Sequence, residues 1–181
     1  MIVLSAALLP VVAQPANEAP PVAPPTLPVA LLPAVSINEL MSDTINPSAR
    51  ALWRAVSYTV TAEGVTETMP ETDEDWQQLR AHGDALVKAG ATLLLPALTV
   101  SAAPTEERPD FQFTPAEIAQ LMQQNKVAWT DNVRNMQTAT LQILATIEKR
   151  DMQAYIEAGP ALNATCESCH AQFWYKPQDM R

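Results

Sequence analysis

Basic residues are scarce in this chain: 11 of 181, against 20 acidic ones, for a formal net charge of -9. A general nucleic-acid binder needs a basic face that releases counterions, so that class is excluded. Cysteine is scarcer still. Two residues cannot staple a disulfide scaffold. No apolar run reaches the ~18–20 residues that cross a bilayer as a helix, so a membrane tether could come only from the N-terminal segment. Glycine contributes 4 residues, and neither a period-two alternation nor an internal repeat is visible. What remains is a chain 48% hydrophobic with 16 prolines. Its length suits one domain plus some extra chain.

Half of those prolines fall within the first 34 residues. Residues 1–13 are apolar and end in Val11-Val12-Ala13, which reads as the hydrophobic core and cleavage site of a secretory signal. A basic n-region is missing, because the first basic residue is Arg50. Residues 14–35 form a proline-rich linker, expected to be an extended polyproline-type spacer. The predicted location is therefore the bacterial periplasm. The folded domain is expected over residues 36–176, with 177–181 as a tail.

Four helical stretches follow. Ser36-Ile37-Asn38-Glu39 reads as a capping box, followed by Ile37, Leu40, Met41, Ile45, Ala49, Leu52, Trp53 and Val56 at helical spacing. Pro47 interrupts this face without changing its phase, which predicts one kinked helix. Residues 61–71 break the pattern. Thr72, followed by Asp73, Glu74 and Asp75, starts a second helix that Pro96 stops. Thr114-Pro115-Ala116-Glu117 starts a third. Unbroken to Ile147 it would span about 50 Å, so a break is expected near residues 124–126. The last stretch begins near Asp151, and Gly159-Pro160 should kink or restart it. The predicted fold is all-α, an antiparallel four-helix bundle.

The residues that carry chemistry are Cys166-Glu167-Ser168-Cys169-His170. This C-x-x-C-H is the attachment signature of c-type haem. Two thiols three residues apart on a helix project to one side and can form thioethers with the two porphyrin vinyl groups. The adjoining imidazole can then sit beneath the iron. A thioredoxin-like dithiol expects a βαβ setting that is absent here. A structural zinc site needs four ligands, and only His82 and carboxylates remain to complete one. A Cys166–Cys169 disulfide is disfavoured by helical geometry. One covalent haem c, with its iron, is the expected cofactor.

The position of the motif, near the C-terminus of the last of four helices, resembles the class II c-type cytochromes: cytochrome c-prime and its low-spin relatives. The resemblance covers Ser36 to Tyr175, and its specific part is Cys166 to Phe173 plus the helix layout. It implies a haem-bearing bundle with Cys166 and Cys169 as attachment points and His170 as proximal iron ligand. It also implies an electron carrier rather than an enzyme, and a homodimer formed through the early helices. One departure is Trp174, where cytochrome c-prime proteins usually carry a basic residue four positions after the histidine.

In the low-spin relatives a methionine of the first helix closes the sixth coordination position, and Met41 occupies that place. The alternative is that Met41 is core packing, which leaves a five-coordinate site walled by Leu40 and Ile37 that takes a small gas such as nitric oxide. His82 is a further ligand candidate, with a half-buried hydrogen-bonded histidine as the alternative. Arg50 and Arg54, one turn apart, could pair with a haem propionate or remain solvated. Trp53, Trp129, Phe173 and Trp174 could pack on the porphyrin or in the core. Glu63, Glu67, Glu71, Asp73, Glu74 and Asp75 gather around the first interhelical loop, as a solvated capping face or as a dock for basic redox partners.

Overall fold

The two threonine starts are built as their sequences dictate. Thr72 Oγ1 accepts from the Asp75 N–H at 3.2 Å, and the Asp75 carboxylate accepts from the Thr72 N–H at 2.8 Å. The Thr72 N–H, the Thr72 hydroxyl and the Glu71 N–H all donate to the Asp75 carboxylate and hold it below its usual range. Thr114 and Glu117 repeat the arrangement at 3.1 and 2.6 Å. Asp151 caps the last helix by accepting from the Ala154 N–H at 3.0 Å.

The computed structural model describes residues 35–101 and 109–177; the predicted leader (1–13), the linker up to residue 34 and the tail beyond 177 lie outside them. The fold is mostly helical: α1 (Ile37–Leu40), a π-helical turn (Met41–Ile45), α2 (Asn46–Arg54), α3 (Asp73–Leu93), α4 (Pro115–Gln124), α5 (Lys126–Lys149) and α6 (Met152–Phe173). α1, the π turn and α2 form one continuous helical segment, as expected for a single interrupted helix. Pro47 has no N–H to give, and its ring crowds the carbonyl four residues back. The turn before it opens so that the Asn46 N–H reaches Met41 O, five residues back. The break between α4 and α5 falls at Asn125, inside the predicted window. α6 runs through Pro160 without restarting. The carbonyl deprived of a partner there is that of Ile156, an exposed residue, so water can satisfy it.

Two expectations are corrected. Ser36 makes no capping bond to α1. The chain leaving α3 returns beside it instead: the Ile37 N–H donates to Thr99 O at 2.8 Å, and Ser101 Oγ donates to Ser36 Oγ at 2.6 Å. The first N–H of that helix is thus satisfied by a segment some 60 residues away, and Glu39 stays in solvent.

The second correction is a β-hairpin where only helices and loops are predicted. β1 (Ser57–Thr61) pairs antiparallel with β2 (Gly64–Thr68), Val60 opposite Val65 and Tyr58 opposite Glu67. Gly64 at the turn has φ +138°, a conformation that L side chains rarely adopt. Every strand residue except Ser57 is exposed. No core-facing stripe therefore exists to make the alternation visible in sequence.

The first helical segment packs on α3, α3 on α5, and α5 on α6. The α3–α5 seam is the tightest. A Cβ at Gly83 would stand 2.6 Å from Leu144 Cδ2, and one at Gly90 would stand 2.6 Å from Gln137 Cγ. Only hydrogen fits at these two positions, which are seven residues apart on one face. Leu52, Leu86, Ile143 and Leu162 are fully buried at the centre of the core. Among the described residues no helix is long and apolar enough to cross a membrane.

Candidate functional site

No packing comparable to the other three helix pairs joins α6 to the Ile37–Arg54 segment. Between them lies a cavity of about 530 Å³, within the usual range for a bound cofactor. Its α6 wall presents Cys166, Cys169, His170 and Phe173, and its opposite wall presents Ile37, Asn38, Met41 and Ile45. Trp129, Val133 and Met136 of α5 form the floor. Sequence spacing accounts for both walls. Cys166, Cys169, His170 and Phe173 recur at three and four residues, and so do Ile37, Asn38, Met41 and Ile45.

The two cysteines are free and half-buried. Burial pushes the Cys166 thiol up, with the Glu167 charge adding to it. Burial, with Cys166 alongside, pushes Cys169 up to about 11. A dithiol that works by exchange needs the opposite, a thiolate stabilised near neutral pH. Burial also lowers His170 below the ordinary imidazole range, which leaves a neutral ring with a lone pair to offer.

The His170 ring is held from outside the helix. Tyr175 meets it edge-on at 6.0 Å between ring centroids, and Phe111 backs Tyr175 at 6.0 Å. The backbone locks this pair. The Phe113 N–H donates to Trp174 O at 2.9 Å, and the Lys176 N–H donates to Phe111 O at 2.7 Å. Trp129 stands edge-on to Phe173 at 5.2 Å, and its Nε1–H donates to Leu93 O at 2.9 Å.

The remaining candidates divide. Trp53, Trp129, Phe173 and Trp174 all line the cavity. Leu40 does not, although it packs against the core, and Asn38 takes the wall position assigned to it. His82 lies outside the cavity, its Nδ1 3.5 Å from Ser48 Oγ. Arg50 and Arg54 border a neighbouring shallow groove that shares Ser42 and Asn46 with the cavity. Of the loop acids, Asp73 pairs with Arg150 at 2.7 Å and Asp75 closes the capping box. Those two belong to local structure.

Three contributors were missed in the sequence. Asn38 lines the cavity with its Oδ1 buried and without a hydrogen-bond partner. Asn132, buried, spends its Nδ2 on Ala128 O and Gln172 Oε1. Tyr175 is the third. Asn38 precedes Met41 by three residues, so helical spacing alone could have found it. Tyr175 gave no such signal, since its contact depends on the distant Phe111.

The chemistry of this lining fits one covalent haem. A closed metal site built from protein alone needs about four ligands. Among the described residues no three His, Cys, Asp or Glu side chains gather to hold a metal. A porphyrin iron asks the protein only for axial ligands, and His170 and Met41 stand on facing walls. The bare Asn38 Oδ1 marks an atom for which the protein itself provides no partner. No family model matches the chain, and neither the curated proteins nor the solved structures include a match.

Proposed function

We propose that this protein is a monohaem c-type cytochrome, an antiparallel four-helix bundle that carries single electrons between partner proteins in the periplasm. One observation carries the reading: a single cavity gathers Cys166, Cys169 and His170 on one wall and Met41 on the other. When bound, the haem supplies a one-electron iron couple. Cys166 and Cys169 fix its place through thioethers. His170 lends its ring nitrogen, and Tyr175 restrains that ring in the manner of an outer-shell partner. Met41 offers a thioether sulfur, which favours a high potential. Ile37, Ile45, Trp129 and Phe173 exclude water, a second means of setting the potential. Such a carrier is not an enzyme. Its acidic loop, with Glu71 and Glu74 in solvent, suits docking of basic redox partners.

A second reading rests on Asn38. Its unpaired Oδ1 stands on the same wall as Met41, where the side-chain amide could serve a small gas at an open sixth position. Absorption spectra with and without carbon monoxide decide between the two. A low-spin spectrum with a methionine-to-iron band and no carbon monoxide response is expected, and Met41→Ala should turn it high-spin. A high-spin wild-type protein that binds carbon monoxide selects the second reading. Loss of haem to acid-acetone extraction would refute covalent attachment and both readings with it.

A further inference from the structure

The hairpin has two open edges of opposite character. β1 reads Ser-Tyr-Thr-Val-Thr and carries no charge, no proline and no glycine. β2 reads Gly-Val-Thr-Glu-Thr and carries Glu67, with Glu63 in the turn just before it. Charged residues on an edge discourage pairing with another chain, whereas a bare β-branched edge invites it. An isolated two-stranded hairpin is marginal in water, and three or more strands are needed for independent stability. This hairpin also gains little from burial. Tyr58 is 62% exposed, Val60 77% and Val65 67%.

We infer that β1 is a self-association edge, and that its occupant is β1 of a second copy of this chain, antiparallel about a two-fold axis through Thr59. The sequence is self-complementary in that register. Tyr58 falls opposite Val60 of the second copy, an aromatic–β-branched pair, and Ser57 falls opposite Thr61. Pleat alternation then puts Tyr58, Val60 and Val65 of both copies on one face of a four-stranded sheet. Ser57, Thr59, Thr61, Thr66 and Thr68 occupy the other.

Charge decides which edge is used. With β1 against β1, the two β2 strands are outermost, three strand spacings apart, or about 14 Å. That exceeds the ~8 Å Debye length at physiological ionic strength, so the Glu67 carboxylates and their turns are screened from each other. Pairing through β2, centred on Thr66, would instead bring the two Glu67 residues onto adjacent strands, much closer than in the β1 pairing. Glu67 stands opposite Tyr58 of its own hairpin, where it raises the phenol above its usual range. This contact is distinct from the pairing of early helices that the family resemblance implies.

Two five-residue strands bury little surface, so the dimer belongs to the weak class. Sedimentation velocity on the full chain from about 10 µM to about 1 mM should show a concentration-dependent dimer. Thr59 is exposed, and its replacement should leave the helical circular dichroism unchanged. Thr59→Lys and Thr59→Glu place like charges across the axis, and each should weaken dimerisation tenfold or more. Mixing the two variants should restore a 1:1 dimer. A wild-type protein that stays monomeric throughout overturns the proposal. So do Thr59 variants that dimerise like wild type, which would put the contact elsewhere, and a mixture that stays monomeric.

Discussion

Replacing Tyr155 with phenylalanine removes one oxygen from the centre of the protein and leaves the ring in place. That oxygen donates to Leu52 O at 2.6 Å, between two residues 5% and 2% exposed. Leu52 lies among the last four residues of α2, so its carbonyl has no partner within its own helix. The Tyr155 hydroxyl, reaching across from α6, serves as that partner. The phenylalanine ring keeps the edge-on contact with Trp76, 6.5 Å away, so the loss isolates the hydrogen bond. A buried carbonyl left bare costs about 1–3 kcal/mol. For a domain of this size that lowers the melting temperature by roughly 3–12 °C, readable by urea and thermal unfolding at pH 7.

The pH dependence sharpens the test. Burial raises the Tyr155 hydroxyl far above its unfolded value of about 10. The native state therefore holds this proton more tightly than the unfolded chain. Its contribution is complete below about pH 10 and falls as pH rises toward the native pKa. The gap between wild type and Tyr155→Phe should narrow above about pH 10, because the variant has no such proton to lose. A gap under about 0.5 kcal/mol at pH 7, or one unchanged at alkaline pH, would refute the capping role.

Two shorter predictions concern the seam and the proximal side. Gly83→Val should destabilise by roughly 1–3 kcal/mol in urea unfolding, because overpacking against Leu144 outweighs the better helix propensity of valine. On the proposed haem reading, Tyr175→Ala should lower the reduction potential in redox titration, since water reaching the His170 ring would favour the more highly charged oxidised iron. Tyr175→Phe retains the ring and should retain the potential; equal shifts in both variants would show that the hydroxyl rather than the edge contact matters.

Local rules carried far in this sequence where the partners are local. The boxes at Thr72 and Thr114 close within three residues, so their four-letter patterns suffice. The break at Asn125 was legible because an unbroken helix would have been too long. Ser36 shows the limit: its pattern matches a capping box, yet a strand-like return after α3 supplies the bond. The hairpin escaped for a different reason. Periodicity detects a buried face, and no residue of either strand is fully buried. The gathering of Cys166, Cys169, His170 and Met41 at one cavity follows from helix spacing plus one decision, which faces turn inward. The Tyr175–Phe111 clamp joins chain segments more than sixty residues apart and has no local signature.

The π turn at Met41–Ile45 distinguishes the two cavity walls by how each is held. α5 packs on α3 across the glycine seam, and the end of α6 is stitched by the backbone bonds between residues 111–113 and 174–176. Met41 is carried on the one turn of the first segment whose hydrogen-bond ladder already departs from α geometry. Ala49 and Leu52, farther along the same segment, are buried on regular α-helix. The His170 wall is thus tied to the bundle from outside its own helix, whereas Met41 rides on the one irregular turn, and in the proposed haem site any change at the Met41 sulfur would begin there.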